Sequence, residues 1–379
     1  MSNAGPIESS NQRSSSVLSP VHIFPVASFI LAALSHFANA SIGDTNFVLV
    51  VVIETIASVL VLCTIFAVLH HAEMIAHRVG EPYGVLILTL AVTCIEVSII
   101  VSMMLHDENN PTLARESVFS TVMIVCTGVV GLAITFGSIR HKRQEIKIQG
   151  TNAFLSVLIA LTGLTMILPN YTLSTGQGTF TPFQLLFVAL LSFLLYTSFL
   201  FAQSKGQKDD FLQSPRELRS MDQPPAHRAV FKHFIFLIGG LTGIILLAEF
   251  VAAGVEDGLV YLNVPQKDAI IGAMIAFIIL LPESISAIKA SLNNQLQRGL
   301  NIAFGSACAT IGLTIPAVAI ASLAAGHPLT LGLKRGDTVL VSMALAMNVV
   351  SFGTGRTTLL TGLTHLVIFV AYLMLIVIP

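Results

Sequence analysis

Long apolar runs free of charge recur along this 379-residue chain, and they restrict its fold more than any other feature. One helical crossing of a bilayer's hydrocarbon core takes about 20 such residues. Stretches of this kind, bounded by polar residues or by Gly and Pro, lie near 21–41, 46–69, 82–105, 116–138, 152–169 and 183–203. Others lie near 231–253, 266–288, 299–325, 337–353 and 358–378, which makes eleven, the shortest near 337–353. Only 10% of the residues are charged, against about 25% in soluble domains. Lipid leaves a backbone no partner but itself, so an all-α polytopic membrane protein is the expected fold class.

Residues 1–19 are rich in Ser and Asn and lack a basic stretch followed by an apolar one. They read as a disordered tail and not as a cleaved signal. Cys63, Cys94, Cys126 and Cys308 all fall inside apolar runs, where thiols behave as small hydrophobes, so no disulfide framework is expected. Basic residues gather on the cytoplasmic side of membrane proteins. The loop after the fourth span carries Arg140, Lys142, Arg143 and Lys147; the one after the sixth carries Lys205, Lys208, Arg216, Arg219 and Arg228. Placing both in the cytoplasm leaves only Arg115, Lys267, Lys334 and Arg335 outside. The N-terminus is then cytoplasmic and the C-terminus external.

Two segments share a layout. Glu81 opens a helix that carries Glu96, and Asp268 opens one that carries Glu283, each pair 15 residues apart. The following spans hold Ser117-Val-Phe-Ser-Thr121 and Asn301-Ile-Ala-Phe-Gly-Ser306. Spans three and eight are an odd number apart, so they cross in opposite directions, the mark of an inverted repeat with its substrate site near the midplane. The chain accordingly divides into a tail (1–19), an additional helix (20–44), a first five-helix repeat (45–203), a cytoplasmic linker (204–230) and a second repeat (231–379).

Glu96 lies about 22 Å along its helix from Glu81, and Glu283 is as deep in its own. A bare carboxylate there costs at least about 2.5–3.5 kcal/mol, so a proton, a cation or a basic partner must neutralise it. No Lys or Arg of either helix lies within two turns on the same face, which leaves protons and metal cations. Where two such carboxylates converge, they can take either a divalent cation or protons, and that competition is an exchange mechanism. Calcium prefers six to eight oxygen ligands. Thr89 and Thr93 share a helix face with Glu96, Pro282 frees the carbonyl of Ile278, and Ser117, Ser120, Thr121, Asn301, Ser306 and Thr310 offer further oxygens. The alternative for the glutamates is a protonated structural role, and for Thr89, Ser306 and the small run 305–310 close helix packing.

Glu54 and Glu249, near the outer ends of spans two and seven, fit an external access path or plain interfacial snorkelling. Glu81 and Asp268 fit a proton or cation path equally with helix capping. His70, Glu73 and His77 share a face at the cytoplasmic end of span two, where a solvated helix end or pH sensing competes with metal ligation. No Walker A sequence, HExxH motif or nucleophile–base constellation occurs, so neither an ATP-driven pump nor an enzyme is expected, and no cofactor. Nucleic acid is not an expected partner; lipid and transported cations are.

Gly80-Glu-Pro-Tyr-Gly84, Leu88-Thr-Leu-Ala-Val-Thr93 and Ile95-Glu-Val97 resemble the first signature of bacterial ChaA-like calcium/proton antiporters. Pro282-Glu283, Leu292-Asn-Asn-Gln295, Gln297-Arg298, Phe304-Gly-Ser306 and Ala309-Thr310 resemble the second, and Ser351-Phe352 with Thr354-Gly-Arg-Thr357 fits as well. The resemblance covers roughly 45–379 and implies the calcium/cation antiporter superfamily. It implies two inverted five-helix repeats, cation and protons alternating on Glu96 and Glu283, and spans two and seven sliding past a steadier core. Gly239, Gly240 and Gly243 suit such a sliding helix. The wider superfamily has Gly-Asn before the key glutamate where this chain has Val92-Thr-Cys-Ile95 and Leu280-Leu-Pro282. Sodium or potassium exchange at the same carboxylates is therefore the runner-up to calcium, and a bacterial inner membrane is the implied location. A reporter fused to the C-terminus is expected to be accessible only from outside the cell; cytoplasmic reporter activity would reverse the topology.

Overall fold

A computed structural model describes residues 20–38, 47–79, 83–106, 110–172, 176–203, 227–261 and 266–378. Their helices are α1 (Pro20–Ala38), α2 (Phe47–Val79), α3 (Tyr83–His106), α4 (Leu113–Met123), α5 (Val130–His141), α6 (Ile148–Thr162) and α7 (Pro182–Phe201). Then follow α8 (His227–Tyr261), α9 (Lys267–Leu292), α10 (Leu296–Ala309), α11 (Ile315–Ala325), α12 (Arg335–Phe352) and α13 (Leu359–Val377). The π-helical stretch Ile124–Val129 joins α4 to α5, and Thr310–Thr314 joins α10 to α11, so each of these pairs is one continuous rod. A third, Gly163–Ile167, extends α6. Eleven rods result among the described residues.

Eight of the described helical runs are long and apolar enough to cross a membrane. α1 and α3 contribute shorter apolar windows, Val21–Leu34 and Thr89–Met104. α12 falls short because Arg335, Asp337 and Asn348 lower its hydropathy, yet it still packs into the core through Leu340, Val341, Ala344 and Phe352. The amide nitrogen of the buried Asn348 donates there to the backbone oxygens of Cys126 (3.0 Å) and Ala344 (2.7 Å).

The loops gather at two opposite ends. At one, the two-residue strands β1 (Gln144–Glu145) and β2 (Arg356–Thr357) pair antiparallel, a contact the all-α expectation did not include. The buried Gln144 amide donates to the Ser291 carbonyl oxygen (2.8 Å), which draws in the loop after α9. At the other end Thr179 bridges Thr330, the Thr330 N–H donates to the Pro111 carbonyl, and the Thr112 hydroxyl donates to Asp268 (2.7 Å). The start of α1 lies at the first end, where His71 meets the Val21 carbonyl, and the tail of α13 lies at the second, where Gln266 donates to the Leu375 carbonyl. An odd number of traversals requires this separation.

Among the described residues the interior holds two large apolar bodies and a small cluster of Met103, Leu113, Ile271, Ile275 and Ile279 that joins α3, α4 and α9. The larger core runs through α4–α7 and α9–α13 and includes Phe154, Phe304, Phe352 and Tyr372. The smaller is a slab of α1, α2 and α8, sealed by Ala57, Val61, Ile65, Val68, Leu237 and Ile244. The slab meets the core chiefly on α3, with a lesser contact on α9. Ala91 and Ile95 of α3 and Ile278 of α9 belong to that seam.

Close approach fixes one position in the core. A Cβ on Gly272 of α9 would stand 2.7 Å from the backbone of Glu116 and Ser117 in α4. Gly272→Leu therefore forces two tightly packed backbones apart and is expected to cost about 1–3 kcal/mol. A clear fall in the thermal unfolding midpoint of the detergent-solubilised protein would register it.

Candidate functional site

Glu96 sits in the middle of α3, between Ile95 and the buried Ile100, and is itself only 2% exposed. Its carboxylate reaches the π-helical stretch between α10 and α11. There the Thr310 hydroxyl donates to Glu96 Oε2 at 3.0 Å and the Thr314 hydroxyl donates to the same oxygen at 2.8 Å. A π turn inserts a residue into the helix and re-aims the side chains that follow, and such turns are frequent at functional sites. Gly312, between the two threonines, admits the ring of Tyr196 from α7: a Cβ there would stand 2.5 Å from the Tyr196 Cβ. Tyr196 in turn is hydrogen-bonded to Thr89, one of the predicted residues on the Glu96 face of α3.

Glu283 lies half-buried on α9, one residue after Pro282, with the Glu96 charge among the electrostatic influences on it. Its Oε2 is buried without a hydrogen-bond partner among the described residues. None of the ion pairs described includes either glutamate. Two acids from two helices thus share one buried region, one with a hydroxyl-satisfied oxygen and the other with a solitary one. Among the described residues no three His, Cys, Asp or Glu side chains stand close enough to hold a metal ion. A cation here would draw on hydroxyl and carbonyl oxygens beside the two carboxylates.

Of the remaining predicted positions, Thr93 is buried on α3, and Ile278 packs in the seam between slab and core. Ser306 is half-buried one turn before Thr310. Ser117, Ser120 and Thr121 are buried on α4, and none of them is among the hydroxyls that bond Glu96. Ser120 lines a different small cavity, with Glu116, Gln266, Asp337 and Tyr372. Asn301 accepts from Gln297 at 2.8 Å, nine residues before Thr310 and so about 13 Å away along the helix. Asp268 is held by Thr112. Glu81 lies outside the described residues, as do the 204–226 part of the linker and the side chains of Glu54, Glu249 and His77.

Two features escaped sequence reasoning. Thr314 is an equal partner of Thr310 on Glu96; its spacing of four from Thr310 was the available signal, hidden inside a run that reads as packing. At the loop end that holds Thr179 and Thr330, buried Arg115 donates to Glu116 Oε1 (2.6 Å) and to the Gly332 carbonyl oxygen, and Lys334 approaches the same carboxylate at 3.6 Å. Arg115 and Lys334 are far apart in sequence, and only the fold brings them to one acid.

Comparison with known proteins gives this site its setting. The profile of the sodium/calcium exchanger protein family matches residues 47–205 and 232–378. The chain belongs to that family. A relative in Escherichia coli strain K12, named sodium-potassium/proton antiporter ChaA, is 35% identical over 358 residues, covering 93% of this chain and 95% of the relative. A protein of Sinorhizobium fredii named putative ionic transporter y4hA is 39% identical over 320 residues, 83% of this chain and 86% of its own. Among solved structures, native YfkE superposes with a TM-score of 0.69 at 17% identity, covering 95% of this chain and all of that one. The H+/Ca2+ exchanger CAX superposes with 0.67 at 12% identity, covering 94% and 89%. These two likenesses establish a shared fold. The protein is a multi-pass membrane transporter of the antiporter kind.

Thr310→Val with Thr314→Val would leave a buried Glu96 oxygen without donors, a penalty of about 1–3 kcal/mol. The expected result is a rise of about tenfold or more in the apparent KM for the transported cation, since each ~1.4 kcal/mol is tenfold. Flux measured at graded cation concentration checks it, and an unchanged KM would remove the two hydroxyls from the site.

Proposed function

We propose that the protein exchanges calcium for protons by alternating access, with cation and protons competing for Glu96 and Glu283. The observation that carries this reading is a pair of acids on neighbouring helices, Glu96 held by two hydroxyls and Glu283 with an unpartnered oxygen, neither in an ion pair among the described residues. Membrane-buried carboxylates need a neutralising partner at every stage. When the cation leaves, protons must replace it, and when protons leave, the cation must return. Coupling follows from this constraint without any energy source beyond the two gradients. A calcium ion would take both carboxylates, the Thr310 and Thr314 hydroxyls, Thr93 and the Ile278 carbonyl freed by Pro282, with water completing its sphere.

The same reading takes α2–α7 and α8–α13 as inverted repeats, with α1 an addition. Pairing Phe119 with Phe304 brings the π stretches Ile124–Val129 and Thr310–Thr314 into coincidence to within one residue, and the long helices α2 and α8 correspond at the head of each half. The slab of α1, α2 and α8 is the moving part in this scheme, and it rests on α3 and α9, the helices that bear the two glutamates. The loop end that holds β1 and β2 faces the cytoplasm of a bacterial inner membrane in this reading, because Arg140, Lys142, Arg143 and Lys147 lie there.

Sodium or potassium exchange is the second reading. It is favoured by the relative named sodium-potassium/proton antiporter, which is 35% identical, and by the lopsided supply of hydroxyls to Glu96. Cation uptake into everted membrane vesicles, driven by an imposed pH gradient, tests both. Glu96→Gln and Glu283→Gln are each expected to reduce the coupled flux to background; intact flux in both variants would overturn the site. Calcium that fails to compete with sodium flux would decide for the second reading. Repeating the flux at a clamped potential reads the stoichiometry, because a net charge feels about 2.3 kcal/mol per 100 mV.

A further inference from the structure

Four histidines converge at the end of the slab where α1 begins. His71 of α2 is fully buried, its Nδ1 is 2.8 Å from Nδ1 of His233 on α8, and its Nε2 is 3.1 Å from the Val21 carbonyl oxygen of α1. Ring centroids of His22 and His71 are 5.4 Å apart, those of His22 and His233 6.4 Å. His70 stands 5.8 Å from His71 and 6.3 Å from His233. Phe236 stacks on His71 at 5.3 Å and meets His22 edge-on at 4.7 Å. All three slab helices therefore meet through imidazoles, and nothing in cation exchange at the glutamates uses them.

The hydrogen positions are constrained. A carbonyl oxygen only accepts, so Nε2 of His71 carries a hydrogen. The contact between the two Nδ1 atoms then holds only if a single hydrogen lies between them. The neutral pair satisfies this, with His233 donating to His71, and so does a pair carrying one extra proton. With both rings cationic, each Nδ1 bears a hydrogen and the contact becomes repulsive. The charged groups nearby add to the repulsion: Lys232 of α8 stands 5.8 Å from the centre of the Phe236 ring, and His22 and His70 are themselves titratable. Glu73, one turn beyond His70 and exposed, is the acid on α2 nearest in sequence. α3, which also packs on α8, has no charged side chain described at this end.

We propose that this imidazole cluster is a proton-operated latch which binds α2 to α8 when neutral and releases them when both His71 and His233 are charged. Its ligand is the proton itself, taken from the side that holds the basic loops. The consequence for transport rests on the proton exchange proposed above. An exchanger that brings protons into the cytoplasm would be slowed once the cytoplasm is already acid, because the slab no longer moves as one piece.

The experiment has two arms. In a background with Cys63, Cys94, Cys126 and Cys308 replaced by alanine, spin labels go on Val79→Cys of α2 and Phe231→Cys of α8, both exposed positions. Their separation is measured from about pH 8 to pH 4, a range that spans the uptake of the first and the second proton by the pair. The distribution is expected to lengthen or broaden below about pH 5, where a pair already holding one extra proton takes up the second, and to stay fixed when His233→Gln supplies a donor that does not titrate. In everted vesicles, whose bath contacts the cytoplasmic face, exchange is expected to fall about tenfold over the same range, and less than about twofold in His233→Gln or His71→Gln. A label separation indifferent to pH, or variants that follow the parent's pH profile, would overturn the latch. Absence of any proton-coupled flux in the parent protein would overturn the transport reading alone, and the label distances would still decide the latch.

Discussion

The carboxylate of Glu96, carried by α3 and met by Thr310 and Thr314 from the rod of α10 and α11, is the interaction around which the interior is arranged. An acid in the middle of an apolar helix is tolerable only where other elements bring polar atoms to it. Here those atoms come from a π stretch far away in sequence, and the stretch is positioned by Gly312 against Tyr196 of α7. Four helical elements are thereby fixed around one oxygen. Glu283, from α9, completes the arrangement from the other side with an oxygen that no described protein atom satisfies. Under the proposed exchange that incompleteness has a use: a site satisfied by the protein alone would have no need of a mobile ion.

Much of this was legible in the residues. Each of the eleven apolar stretches falls on a helical rod among the described residues, and eight of those runs are long and apolar enough to cross a membrane. Glu96 and Glu283 stood out since charge inside such stretches is costly, and Thr310 fell within a recognisable signature. Less was visible where the fold makes contacts between distant loops. The β1–β2 pair, the grip of Thr112 on Asp268 and the Arg115–Glu116–Lys334 group join residues whose separation in sequence carries no periodic signal. The spacing of four between Thr310 and Thr314 was there to be read, but helical spacing assumes a regular helix and gave no sign of the π stretch that carries both hydroxyls to Glu96. Ser120 and Asn301, with oxygens of the right kind, turn toward a separate cavity and toward Gln297; residue type says what a side chain can bind but not which neighbour it faces.

The interior is also unevenly tied. The larger core is fastened at both ends, by β1–β2 with Gln144 at one and by Thr179–Thr330 with Asp268 at the other. The slab of α1, α2 and α8 leans on it through small and branched apolar side chains such as Ala91, Ile95 and Ile278. Dispersion contacts of this sort are numerous but individually weak, and they do not prescribe a single register.

That seam has a mechanical implication. A surface of methyl and methylene groups resists separation, because opening it exposes hydrocarbon, yet it offers little friction to displacement along its own plane. The chain passes between slab and core only at the junctions α2–α3, α7–α8 and α8–α9. Few covalent tethers and a greased contact are what the proposed sliding of the slab past the two acids requires, since no part of the braced core would then have to repack.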